Sequence, residues 1–96
     1  MLVLVTYDIS TESEEGKKRL RQVAKKCVSH GQRVQNSVFE CNINWSQYLK
    51  LQSDLRDLIN VKEDSLRFYN LGNKYLEKVV HIGTKPSVDL EGDLIV

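Results

Sequence analysis

The fold class this sequence predicts is α+β: an antiparallel sheet with two helices packed on one of its faces. Three observations point to it. Apolar residues recur at spacings of three and four over 20–28 and again over 48–59, as they do on amphipathic helices. Between and around these lie short β-prone runs, several of them alternating with period two. Read in chain order, the segments give β-α-β-β-α-β-β. No Pro/Gly/Ser-rich linker or internal repeat divides the 96 residues, so one domain is expected.

The first strand is Leu2-Val3-Leu4-Val5-Thr6-Tyr7-Asp8-Ile9, an almost unbroken apolar run suited to a strand covered on both faces. It delivers one carboxylate, Asp8, at its far end. A carboxylate at the carboxyl end of such a strand can meet a ligand as the chain leaves the sheet. The alternative is that Asp8 only caps or turns the chain toward the first helix.

Ser10 to Gly16 is polar and rich in helix-start residues. Thr11 with Glu14 fits a capping box, and Ser13 is an alternative N-cap. The helix that follows sets Leu20, Val23, Ala24, Cys27 and Val28 on one face, and Gly31 stands where a C′ glycine belongs. Arg19, Arg21, Lys25 and Lys26 project from the opposite side, with Lys18 among them.

From Gln32 the period changes to two. A short strand, 32–35, and a longer one, 38–43, are joined around Asn36-Ser37, with a single bent strand as the alternative. Phe39, Cys41 and Ile43 share one face. Asn44 with Gln47 then opens a second helix, with Ile43 and Tyr48 placed as a hydrophobic staple. Its stripe is Tyr48, Leu51, Leu55, Leu58 and Ile59, with Trp45 at the edge and Leu49 unaccounted for. A fourth strand spans 65–71, Gly72-Asn73 turns the chain, and a fifth spans 78–82.

The first six elements form the ferredoxin-like βαββαβ arrangement, here with an additional C-terminal strand. Right-handed crossovers place both helices on one face of the sheet. The other face needs a cover, and a second copy of the chain in a homodimer is the simplest one. Residues 1–83 thus make the domain. Residues 84–96 follow a Pro-containing break, end in Leu94-Ile95-Val96, and are expected to dock on the partner subunit or on another protein.

The net charge of +1 hides an uneven distribution. Residues 16–39 contain Lys17, Lys18, Arg19, Arg21, Lys25, Lys26 and Arg33 and no acid, while the remainder is acidic. Such a segment is a candidate for phosphate contact, and Lys17, Lys18, Arg19, Arg21, Lys25 and Lys26 form a nucleic-acid-binding ridge; the plainer reading is a solvated helix face. Two cysteines, no membrane-length apolar run and no secretory signal pattern place the chain in the cytoplasm with no membrane partner. Cys27, His30, Cys41 and His81 lack paired metal-ligand spacing, and both cysteines fall on core-facing positions, which argues against zinc.

Three segments together carry a resemblance: Tyr7-Asp8-Ile9 closing the first strand, Arg33-Val34-Gln35-Asn36-Ser37-Val38-Phe39-Glu40 after the basic helix, and Leu66-Arg67-Phe68-Tyr69-Asn70-Leu71 in the fourth strand. With the length and element order they resemble CRISPR-associated protein two, the small dimeric protein of spacer acquisition, over residues 1–83. The resemblance implies a homodimer in which the two copies of Asp8 face each other across the two-fold axis. It implies a metal-dependent endonuclease acting on DNA or RNA, using Mg²⁺ or Mn²⁺ held at Asp8. Tyr7 would be the neighbour of that carboxylate, and Arg33 and Phe39 would serve activity or shape the dimeric cleft. It implies as well a CRISPR integrase as partner protein, and with it the alternative of a non-catalytic scaffold holding duplex DNA for that integrase. Magnesium needs only one or two protein carboxylates when water and phosphate supply the other ligands, so a pair of Asp8 side chains would suffice. From the residues alone, Arg33 is equally a phosphate clamp or a partner of Glu40 or Asp8. Phe39 reads more readily as core or dimer interface than as a base-stacking platform.

Overall fold

The computed structural model of the protein describes residues 1–83. Along the chain run β1 (Leu2–Asp8), α1 (Glu14–Val28), β2 (Gln32–Gln35), β3 (Val38–Asn42), α2 (Trp45–Leu58) and β4 (Ser65–Gly72). The four strands form one sheet in the order β2-β3-β1-β4, with every neighbouring pair antiparallel. This is the predicted split arrangement, with β1 and β3 central and β2 and β4 at the edges.

Alternation along β1 decides where the core lies. Val3, Val5, Tyr7 and Ile9 pack with Phe39 and Cys41 of β3, Val23 and Cys27 of α1, and Tyr48, Leu51 and Leu55 of α2 in one buried cluster. Both helices therefore cover the same face of the sheet. Burying each side chain of this kind contributes about 1.5–3 kcal/mol, so the helix face dominates the stability of the domain.

The opposite face is covered only in part, which corrects the expectation of a doubly buried first strand. Leu4 and Thr6 are half-buried and Asp8 is exposed. The chain after β4 comes back toward the sheet. Lys78 Nζ donates to the Leu71 carbonyl at 2.9 Å, Tyr75 is buried, and His81 lies near enough to Glu40 to act on its charge.

That segment also replaces the predicted fifth strand. Residues 78–82 form no strand: Lys78 N–H turns back to the Tyr75 carbonyl at 2.8 Å, and Val80 and Ile82 are exposed. Here the segment turns back on itself after Gly72 and leaves Val80 to Gly83 exposed, pairing with no strand among the described residues. The docking expected of residues 84–96 lies outside the described residues.

Local signals explain the helix boundaries. Ser13, not Thr11, is the N-cap of α1; its hydroxyl accepts from Gly16 N–H at 3.0 Å. The Asn44–Gln47 capping box opens α2 in both directions, at 2.8 and 2.9 Å. Gly31 is not a left-handed cap. Its backbone carries no positive φ, and it is glycine because a Cβ would run into the Glu40 carbonyl and Cys41. Val28, expected on the buried stripe, is exposed as the last residue of α1, one position after the fully buried Cys27.

Candidate functional site

Asp8 is the last residue of β1, opposite Ser65 of β4. Its neighbour Tyr7 points into the core, so alternation turns Asp8 to the other side of the sheet. It is exposed there, and it makes no side-chain hydrogen bond or ion pair among the described residues. The exposed carboxylate has its oxygens available to a ligand.

Tyr7, Phe39 and Arg33 come together on the helix face, away from Asp8. The Tyr7 and Phe39 rings stack with centroids 6.2 Å apart, and the Arg33 guanidinium carbon lies 5.1 Å from the Phe39 ring centre. Phe39 is fully buried while Arg33, opposite it on edge strand β2, is exposed. Arg33 thus closes the outer side of this aromatic pair with a cation–π contact. Tyr7 donates its hydroxyl to the Asn36 carbonyl at 3.4 Å and its amide to the Ser37 carbonyl at 3.1 Å. Burial pushes the Tyr7 phenol pKa up, and the Arg33 charge opposes this only in part. The phenol is therefore a neutral donor fastening β1 to the turn between β2 and β3. Of the four residues singled out, three sit together and the fourth lies across the strand.

A second cluster lies beside the Asp8 end, and sequence reasoning did not find it. The Asp64 side chain has no exposed surface and accepts from four donors. Ser10 N–H donates to Oδ1 at 3.0 Å, Asn60 N–H to Oδ2 at 2.8 Å, and Arg19 Nε and Nη2 at 2.8 and 3.3 Å. Arg19 also reaches Glu63 at 3.0 Å. Burial alone would raise the Asp64 carboxyl; the Arg19 guanidinium and the Asn60 and Ser10 amides outweigh it and hold it below the usual 3.8. The signal in the sequence was slight: a turn-forming Asn60 with an acid four residues on, just before β4.

The basic helix is divided by these contacts. Lys17 pairs with Glu14 at 3.3 Å, Arg19 with Asp64 and Glu63, and Lys26 with Asp54 at 3.5 Å. Arg19 is therefore largely buried and does not project to solvent as expected. Lys18, Arg21 and Lys25 are exposed at spacings of three and four, and among the described residues none has an acid partner. They form one stripe on the outer side of α1, so the stripe and Asp8 lie on opposite sides of the sheet.

The donor chemistry for a metal is restricted. Cys27 and Cys41 are fully buried, and burial pushes their thiols up to about 12 and about 11, so neither presents a thiolate at neutral pH. Asp8 offers a hard oxygen donor of the kind Mg²⁺ or Mn²⁺ takes, but singly: no group of three or more His, Cys, Asp or Glu able to hold an ion occurs among the described residues. The residue present fits a hydrated divalent ion that draws its remaining ligands from elsewhere. No helix of the described residues is long and apolar enough to cross a membrane.

Comparison with known proteins is consistent with this architecture. The family profile described as CRISPR associated protein Cas2 matches residues 1–79. The chain is 59% identical over 95 residues to a CRISPR-associated endonuclease Cas2 of Halalkalibacterium halodurans, covering 99% of each. It is 54% identical over 96 residues to a CRISPR-associated endoribonuclease Cas2 of Chlorobaculum tepidum, covering the whole of both. Among solved structures, Cas2 of Streptococcus pyogenes superposes with a TM-score of 0.76 at 51% identity, covering 86% of this chain and 100% of that one. A match across this much of the fold, at this identity, leaves one assignment: the chain belongs to the Cas2 family of CRISPR-associated proteins.

Proposed function

We propose that this protein is a metal-dependent endonuclease, acting as a homodimer on phosphodiester bonds in DNA or RNA, with Asp8 of each copy as the carboxylate of the site. The single observation that carries the reading is Asp8 itself: an exposed, unpaired carboxylate at the end of the central strand, on the side of the sheet away from the core. The relatives named endonuclease and endoribonuclease support it and favour it over a non-catalytic scaffold for an integrase. Half-buried Leu4 and Val38 on the same face support a second copy as its cover.

In this reading Asp8 is the oxygen donor for Mg²⁺ or Mn²⁺. When bound, such an ion polarises the phosphoryl oxygen and lowers the pKa of a coordinated water. Tyr7, Phe39 and Arg33 act from behind the strand, fixing its end against the β2–β3 turn. Lys18, Arg21 and Lys25 contact phosphates away from the cleaved bond, giving affinity without sequence preference. Lys17, Arg19 and Lys26, engaged by acids, contribute less.

The test compares wild type with Asp8→Asn for cleavage and for binding, in parallel, with and without chelator. Loss of cleavage with retained binding is expected. Equal cleavage by both proteins would end the assignment of Asp8, and cleavage by neither would end the nuclease reading.

A further inference from the structure

Resting on the assignment of Asp8 above, we infer that Asp64 is a positioning residue for the cleavage reaction: it holds in place the end of β1 that carries Asp8. The Asp8 side chain makes no hydrogen bond or ion pair among the described residues, so the polar contacts that fix its place act through the backbone. The ladder to β4 supplies one side of that constraint, ending at the pair Asp8–Ser65. The β2–β3 turn holds the other side through Tyr7, whose amide donates to the Ser37 carbonyl at 3.1 Å, and Asp64 holds the chain beyond Asp8. Asp64 stands immediately before Ser65, and its Oδ1 takes the amide of Ser10, two residues beyond Asp8, at 3.0 Å.

The carboxylate is saturated, two donors to each oxygen, and the donors come from three separate segments. Ser10 belongs to the β1–α1 connection, Arg19 to α1, and Asn60 to the turn before β4. That turn is itself closed, with Asp64 N–H donating to the Asn60 carbonyl at 2.8 Å. The Ser10 peptide is confined at its other end by Gly16, where a Cβ would collide with the Ser10 carbonyl oxygen. A carboxylate serving only to join α1 to the turn would need Arg19 alone. The bond to Ser10 reaches past that, to the segment on which the geometry of Asp8 depends. A reacting group must be held to about 0.5 Å, and misplacement by about 1 Å costs up to about 10²-fold in rate.

The experiment uses the full chain and three variants, Asp8→Asn, Asp64→Ala and Asp64→Asn. Cleavage of labelled duplex DNA and single-stranded RNA is followed while MnCl₂ or MgCl₂ is titrated, and binding is measured separately. Where Asp8→Asn is inactive, Asp64→Ala is expected to stay folded and to bind within about twofold of wild type, with kcat lowered about tenfold or more and the metal half-saturation raised several-fold. Excess metal should restore part of its activity and none of that of Asp8→Asn. Faster amide exchange at Ser10 should accompany the loss. A folded Asp64→Ala with wild-type kcat and metal dependence, beside an inactive Asp8→Asn, overturns the inference while leaving Asp8 in place. An active Asp8→Asn removes the assignment of Asp8 first, and the role of Asp64 goes with it. Should Asp64→Ala fail to fold, the equal-sized Asp64→Asn, which turns a donor toward one of the clasp's own donors, carries the same comparison.

Discussion

On the helix side of the sheet Val5, Tyr7, Phe39 and Cys41 are closed off from water, whereas on the other side Leu4, Thr6 and Glu40 are half-covered and Asp8 is exposed. The boundary between the two runs through consecutive residues of one strand. Tyr7 belongs to the dry side, where its neutral phenol and ring serve packing; Asp8, one residue on, belongs to the side where a ligand can arrive. Adjacency in sequence therefore says little about shared chemistry in a strand, because a shift of one residue changes the face.

Substitutions on the two sides should fail in different ways. The largest effect is expected for Asp8→Asn, with cleavage lowered by about 10³-fold, as when a metal ligand or other first contact of the reaction is lost, at unchanged thermal stability. Phe39→Ala should do the reverse. It empties a fully buried aromatic site and costs about 3–5 kcal/mol, and the residual activity should follow the folded fraction measured by denaturant titration. If Phe39→Ala were stable but inactive, the two-sided division would be broken.

A smaller effect tests the basic stripe. Reversing charge at Lys18, Arg21 and Lys25 together should weaken duplex DNA binding by about tenfold or more and flatten its salt dependence, by anisotropy at several salt concentrations. The same reversal at Lys17 and Lys26, already paired with acids, should do less. Equal losses would mean that the ion pairs do not sort the ridge.

Two carboxyls placed differently should respond to pH in opposite senses. Asp64 is held below its ordinary value, so its stabilising contribution is complete above the unfolded carboxylate range and is lost as pH falls through the depressed folded value. Melting temperature against pH should show this as an acid limb that Asp64→Asn flattens. Glu40 is raised by burial on the open face, with His81 only partly opposing. Its contribution favours the folded state at low pH and fades as pH rises through the raised value. Glu40→Gln should therefore stabilise the protein slightly at pH 7, by about 0.5 kcal/mol or less, and the gain should vanish in acid.

Much of this fold is legible in the sequence. Period-two alternation of Phe39 and Cys41, the spacing of four between Val23 and Cys27, and the Asn44–Gln47 box each placed an element correctly, because each is a local pattern imposed by backbone geometry. The fifth strand was misread because a β-prone run specifies only that a strand could form there. Pairing depends on where the chain goes after β4, and here Lys78 N–H turns back to the Tyr75 carbonyl and residues 80–83 stay exposed. Ser13 displaced Thr11 as the cap of α1 by a similar margin, since both residues carry the needed hydroxyl and only the path of the chain chooses between them.

For the candidate site the division is sharper. That a lone carboxylate closes an apolar strand, and that positive charge gathers on one helix, can be read along the chain, since composition and periodicity depend on sequence neighbours. The packing of the sheet and helices, by contrast, exposes Asp8 while burying Tyr7, engages three of the six helix cations with Glu14, Asp54, Glu63 and Asp64, and joins Asp64 to Ser10, Arg19 and Asn60. Those contacts bridge residues up to 54 positions apart. Hydrogen bonds of such range leave no periodic trace, because their partners are brought together by the folding of the sheet and helices and by nothing in the local chain.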